Sequence, residues 1–259
     1  MKKQKKGLRK IMVKRKMQKQ FTEKAIVYIM ISLSCAFALA GAAFLDIEMG
    51  NDSYLFDTII KCIIIIGTFA YASLVGIPIN NAGRKIFTPW LLVALIPFLA
   101  NSINYFCIPD HAPDLAALVK ILVIVATTAA WEELFFRYVG QSLFEHNGKY
   151  TIGALVLLAL TFGCTHMINI FFYDPVSVLL QVLNASVIGV FWLAIYRHTG
   201  SLWLAFAGHM LQNLVPTFFN LFPEQDLLFY TPVNFILQII IQLTVSIYIL
   251  KKYGYIDKN

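Results

Sequence analysis

Six residues in three apolar stretches have the types and spacing for proton-transfer chemistry: Glu132, Glu133 and Arg137, then His166, then His209 with Asn213. Lipid makes ionisable side chains costly, so a chain that keeps several inside apolar segments is expected to use them. Glu133 and Arg137 stand four apart, on one helical face and within ion-pairing reach. Glu132 points about 100° away on a helix of 3.6 residues per turn and has no such built-in partner. Glu133 with Arg137 therefore reads as a scaffold pair, and Glu132 as the reactive carboxylate. His209 and Asn213, also four apart, can act on one point in space. A carboxylate, two imidazoles and a carboxamide supply a general base, a second proton-handling group and donors for an oxyanion, which are the parts for water attack on an amide. No Ser or Cys lies in a nucleophile motif, so water activated by Glu132 is the expected nucleophile.

Each residue also has a plainer reading. A single Glu can flank the headgroups, and a lone His or Asn in a span commonly hydrogen-bonds another helix. Depth favours the conjunction. Taking Lys149 as a cytoplasmic marker, a rise of about 1.5 Å per residue puts Glu132 about 20 Å inward, His166 about 25 Å, His209 about 15 Å and Asn213 about 20 Å from the cytoplasmic ends of their spans. Phe162, four before His166, walls the site or packs the core. Asn169 orients the His166 ring or caps the outer end of the span, and His198 reads as interfacial. Asn104, Gln181 and Asn184 carry no specific reading.

The elements that must position these groups are membrane spans. Of 259 residues, 59% are hydrophobic and 14% charged, with a mean hydropathy of +0.70, which excludes an ordinary soluble domain. Apolar runs of about 20 residues are needed to cross the hydrocarbon core. Eight candidates fit, over 25–45, 56–77, 89–108, 115–144, 151–171, 176–196, 201–222 and 233–250. Lys61 weakens the second unless it snorkels to the headgroups. Basic residues gather in alternate connections: the N-terminal tail, Arg84 and Lys85, Lys149, Arg197 and His198, Lys251 and Lys252. Acidic residues occupy the others, at Asp46, Glu48 and Asp52, Asp110 and Asp114, Asp174, and Glu224 and Asp226. The positive-inside rule then places both termini in the cytoplasm, and the expected fold is an all-α bundle of about eight transmembrane helices.

Residues 1–24 read as a basic cytoplasmic tail and 25–259 as one helical membrane domain, with no repeat or long linker. The tail suits anionic lipid headgroups; nucleic acid is the rival ligand of any Lys-rich arm, but this one is tethered to a span. It is longer than a signal-peptide n-region, and no small-residue cleavage site follows, so the first span is expected to be retained. Cys35, Cys62, Cys107 and Cys164 have no ligand or disulfide spacing and read as small hydrophobes.

The order Glu132-Glu133-x-x-x-Arg137, Phe162-x-x-x-His166, His209-x-x-x-Asn213, with Thr199-Gly200-Ser201-Leu202-Trp203 before the third motif, resembles the CAAX protease and bacteriocin-processing (CPBP/Abi) family of intramembrane proteases. The likeness covers about residues 126–215. It implies an eight-helix-type bundle with a cytoplasm-facing cavity, in which Glu132 and His166 activate water, His209 and Asn213 stabilise the oxyanion, and Glu133 and Arg137 support the site. Tyr138 departs from the Gly that family members commonly carry after the Arg, a matter of local packing. The expected activity is an intramembrane endopeptidase acting on a membrane-associated peptide or protein at or within the cytoplasmic half of the membrane. Bacterial relatives mature peptide pheromones or bacteriocins or confer self-immunity, and eukaryotic ones trim prenylated proteins. The basic tail and short loops favour a bacterial plasma membrane and an unprenylated substrate. No metal is expected to be required, although Glu132, His166 and His209 are the residues that would hold zinc. The competing classes are a non-catalytic immunity or partner-binding membrane protein and a transporter or proton relay.

Overall fold

The computed structural model describes residues 2–50, 54–77, 89–104, 113–219 and 232–257, with side chains in 18–50, 54–77, 89–102, 113–218 and 235–257. The elements are α1 Lys2–Glu48, α2 Leu55–Leu74, α3 Trp90–Ala94, α4 Ile96–Asn104, α5 Leu115–Glu132, α6 Gln141–Phe144, α7 Ile152–Thr165, α8 Pro175–Thr199, α9 Leu202–Phe219 and α10 Pro232–Lys252. A π-helical segment, Glu133–Gly140, joins α5 to α6 without a break, and a 3₁₀ turn, His166–Phe171, closes α7. Strand character among the described residues is limited to two isolated bridges, His146 with Lys149 and Tyr150 with Ile256. The chain is an all-α, multi-pass integral membrane protein.

Six helical stretches are long and apolar enough to cross a membrane: Gln18–Glu48, Leu55–Leu74, Leu115–Phe144, Ile152–Phe171, Pro175–Thr199 and Phe235–Lys252. Two of the eight expected spans differ. The one expected over 89–108 is divided at Leu95 into α3 and α4, with Pro97 in the first turn of α4 where its missing N–H costs nothing. The one expected over 201–222 forms α9, whose 18 residues include His209, Gln212 and Asn213; these dilute its apolar character, and it is not among the six. The basic residues before 18, Asp52, Arg84, Lys85, Cys107, Asp110, Glu224 and Asp226 lie outside the described side chains.

Local chemistry sets the helix ends. Asp114, Thr151 and Asp174 cap α5, α7 and α8 by accepting from the amides of Ala117, Ala154 and Ser177. Bonds from Ser177 hold the exposed Asp174 carboxyl below its ordinary range. The Thr199-Gly200-Ser201 stretch is a stop and restart: Gly200 takes φ 67°, and the buried Ser201 hydroxyl accepts from the Leu204 amide to begin α9.

In the interior, α8 packs on α7, α9 and α10, while α5 packs on α2 and α9. Small residues let these helices approach closely, as membrane helices do without a hydrophobic drive between them. A Cβ on Gly189 of α8 would lie 2.9 Å from Phe162 Cδ1, and one on Gly208 of α9 would stand 3.1 Å from the Ala94 carbonyl oxygen. Exposed Ile63, Ile66, Leu74, Leu92, Ile152 and Val176 are the surface expected against lipid.

The two ends of the bundle differ in charge. Lys24, Lys149, Arg197, His198, Lys251 and Lys252 share one end, where Lys24 Nζ donates to the Leu143 carbonyl at 3.3 Å. There Arg197 donates to the Gly148 carbonyl and pairs with Glu145, and the amides of Tyr150 and Asp257 bond across to the carbonyls of Tyr255 and Tyr150. The Trp90 and Tyr253 rings flank His198. Asp46, Glu48, Asp57, Asp114 and Asp174 lie at the other end.

Candidate active site

The placement of α9 decides what the neighbouring carboxylates can reach. The backbone is π-helical from Glu133 to Gly140, but Glu132 and Glu133 both keep α dihedrals and the Glu133 amide donates to the Ala129 carbonyl, so the step between them is an ordinary α-helical one. Both carboxylates nevertheless meet the same ring, because His209 comes in from α9. His209 Nδ1–H donates to Glu133 Oε1 at 2.7 Å, and His209 Nε2 stands 3.4 Å from Glu132 Oε2. The reading of Glu132 as partnerless is thereby corrected: its partner comes from α9, a long-range contact that helix periodicity cannot show.

Glu133 and Arg137 are ion-paired, with Arg137 Nε 3.3 Å from Glu133 Oε2, and each is 1% exposed. The contact is electrostatic rather than an aligned hydrogen bond, since the guanidinium nitrogens have no hydrogen-bond partner among the described residues. The Phe162 ring lies 4.1 Å beneath that guanidinium, a cation–π contact that burial strengthens. Phe162 also meets the rings of Phe136, His166 and His209 edge-on, at 4.9, 5.3 and 6.2 Å. It is a structural centre that sequence left evenly divided between wall and core.

His166 ends α7. Its Nδ1–H donates to the Phe162 carbonyl at 3.1 Å, which fixes the tautomer of a neutral ring and leaves Nε2 available. Asn169 donates to Gln181 on α8 at 2.8 Å rather than orienting His166. His198 lies among the aromatic rings of the basic end, away from the site.

Glu132, His166, His209 and Asn213 all line one cavity of about 850 Å³, together with Asp57, Lys61 and Lys120. Lys61 does not snorkel: it is 7% exposed and pairs with Asp57 one turn earlier on α2. Lys120 lies over the Tyr54 ring at 4.9 Å. A second cavity, of about 520 Å³, adjoins the first at His166, His209 and Asn213 and is lined by Asn101, Gln181, Asn184, Gln212 and Gln238. Its amides are linked: Gln238 donates to Asn101 at 2.6 Å, Asn101 donates to the Gln212 carbonyl at 3.0 Å, and Trp192 Nε1–H donates to Gln212 Oε1 at 3.2 Å. Sequence reasoning missed Gln212, although its place three residues after His209 is a signal for it.

The residues named for zinc do not form a ligand set as they stand. Among the described residues no group of three His, Cys, Asp or Glu side chains is placed to hold a metal ion. His209 Nδ1 is engaged by Glu133, and its Nε2 faces Glu132 across a hydrogen-bond-like gap.

Two carboxylates, an imidazole between them, a second imidazole and a carboxamide at the meeting of two cavities form a centre suited to proton transfer. Residues 114–215, which run from the Asp114 cap of α5 to Val215 in α9, match the family model described as Type II CAAX prenyl endopeptidase Rce1-like. The motif region is similar to that family, over less than half of the chain. No curated protein and no solved structure matches the chain. The Rce1-like match supports an intramembrane endopeptidase of the general CAAX type and covers every motif residue from Glu132 to Asn213. Tyr138 has a definite role: it is buried, and its hydroxyl donates to the Ile77 carbonyl just beyond α2.

Proposed function

We propose that the chain hydrolyses a peptide bond of a membrane-associated peptide, with water activated by Glu132. The observation that carries this reading is the division of labour between adjacent carboxylates. Glu133 is sealed between Arg137 and His209, while Glu132 lines the cavity with His166, His209 and Asn213. Glu132 takes a proton from water as its oxygen attacks the carbonyl carbon, and later delivers that proton to the leaving amine nitrogen. His166 Nε2 is the second group disposed to hold the water. Asn213 donates to the developing oxyanion. His209, protonated on both nitrogens, can donate from Nε2 while Nδ1–H stays bound to Glu133; with Glu132, Glu133 and Arg137 ionised, the four charges then cancel. No step is assigned to a metal.

The substrate class we favour is a peptide pheromone or bacteriocin precursor, or a target of self-immunity, in a bacterial plasma membrane, with the basic tail on anionic lipid. The apolar walls of the larger cavity suit a membrane-borne segment. Since the matched family's description names prenyl endopeptidases, prenylated and unprenylated forms of one peptide should be compared directly. The decisive experiment is Glu132→Gln, which keeps size and hydrogen bonding but removes the base. Peptide maturation should be lost at normal expression. Undiminished maturation or immunity would overturn hydrolysis and leave the polar cluster as the packing network of a non-catalytic immunity protein.

A further inference from the structure

The geometry points to a site entered from the non-cytoplasmic face of the membrane, the face opposite the basic loops. The inference rests on the reading of Glu132 and its neighbours as the hydrolytic centre, and it departs from the cytoplasm-facing cavity that family resemblance implies. Three independent features carry it.

One is the direction in which the larger cavity extends. From Glu132 it runs along α5 toward the N-terminus, past Thr128 to Lys120, and its outer lining is Gly50, Tyr54 and Tyr173. Gly50 and Tyr54 flank the α1–α2 connection, and Tyr173 lies in the α7–α8 connection. The second cavity reaches the same end of the bundle, at Ser177 in the first turn of α8 and Phe235 in the first turn of α10. Among the described residues, none that lines either cavity comes from the connections that hold Lys149, Arg197 or Lys251.

Another is the seal on the other side. On the path from the site toward those basic connections lie Arg137, Phe136, Phe162, Trp192 and Tyr28, each at most 3% exposed. Tyr28 stacks on Phe135 at 5.2 Å and meets Phe144 edge-on at 5.4 Å, which fills the space between α1 and the segment after Glu132.

Charge then assigns the faces. The sealed end carries Lys24, Lys149, Arg197, Lys251 and Lys252, besides the Lys- and Arg-rich N-terminal tail, and such residues mark cytoplasmic connections. The open end carries Asp46, Glu48, Asp114 and Asp174. Its two lysines do not reverse the balance, because Lys61 is paired with Asp57 and Lys120 is a single charge. The substrate this arrangement fits is a peptide segment exposed on, or emerging at, the outer surface, which enters an apolar funnel and reaches Glu132 near mid-membrane.

Cysteine accessibility tests this without a known substrate. In a chain with Cys35, Cys62, Cys107 and Cys164 replaced by Ser, Tyr173→Cys reports the outer lining, Thr128→Cys the inner cavity and Lys149→Cys the sealed end. A charged, membrane-impermeant methanethiosulfonate applied to intact cells should label Tyr173→Cys and Thr128→Cys as fully as it does after permeabilisation. Lys149→Cys should label only after permeabilisation. The reverse pattern overturns the proposal. Should the cysteine-free chain fail to fold, C-terminal reporter fusions on the natural sequence give a second readout. Green fluorescence there, with no alkaline phosphatase activity, is expected; active phosphatase overturns the proposal. Neither measurement depends on proteolysis, so an active Glu132→Gln variant would defeat the hydrolytic reading and leave these results as they stand.

Discussion

Glu132 and Glu133 are consecutive residues in two different surroundings. Glu133 belongs to a closed floor, where Arg137, Phe162 and His209 surround it and exposure falls to 1%. Glu132 belongs to an open chamber that also admits His166, Asn213 and Lys120. The floor resembles a core built around an ion pair, rigid because each charge depends on the other. Its neighbour keeps a polar cavity at a depth where polar groups are otherwise costly. His209 is the hinge of the comparison, since one ring nitrogen serves each region. A reactive carboxylate can therefore sit in a membrane interior when an adjacent, unreactive one fixes the ring that both share.

The sharpest way to break this contrast is to remove each carboxylate's charge in turn. Glu132→Gln should lower kcat by roughly 10²–10⁴-fold, the usual contribution of a general base, and leave thermal stability in detergent unchanged. Glu133→Gln should do the opposite first. It strands Arg137 in the floor, at a cost of about 3–5 kcal/mol, visible as a fall in Tm and in membrane yield. Adding Arg137→Met to that variant should recover much of the Tm, since no buried charge is then left alone. If Glu133→Gln keeps its Tm while Glu132→Gln loses it, the floor and chamber assignments must be exchanged.

The outline of this contrast was legible in the sequence because pairs such as Glu133 with Arg137 and His209 with Asn213 obey local periodicity. What periodicity could not show was a partner on another helix. The step from Glu132 to Glu133 is α-helical, and both glutamates reach His209 because α9 brings its ring to them. Phe162 was ambiguous for a similar reason: its role under the guanidinium is a contact between two helices, absent from either helix alone. The span expected over 89–108 was an apolar run of adequate length, but apolarity does not report the break at Leu95. Composition established the membrane bundle, and the alternation of charges marked its two ends. Which end the cavity faces needed the third dimension.

Asn213 sharpens the chamber side of the comparison. It lines both cavities beside His209 and His166. Loss of an oxyanion donor through Asn213→Ala should reduce kcat by roughly 10²–10³-fold with KM little changed. A rise in KM at constant kcat would make it a ground-state binding residue instead. Tyr138 tests the floor more gently, because its hydroxyl ties the π-helical segment to the Ile77 carbonyl at 3.1 Å. Tyr138→Phe should cost about 0.5–1.5 kcal/mol of stability and leave kcat unaltered. A fall in kcat without a fall in Tm would show that this tie positions the carboxylates.

The smallest expected effect is that of a chelator, which should be none. For Glu132, His166 and His209 to hold zinc, His209 would have to present Nε2 to the metal while Glu132 turned from that nitrogen to coordinate beside it, with His166 brought to the same point. Nδ1–H of His209 on Glu133 at 2.7 Å and of His166 on the Phe162 carbonyl at 3.1 Å leave both Nε2 atoms open, as metal sites also arrange them, but among the described residues no three such groups converge on one point. Purified protein incubated with a strong zinc chelator should cleave its peptide at the untreated rate. Loss of activity that returns on adding zinc would recast Glu132 as a ligand rather than a base, and the chamber as a metal centre supported by the same floor.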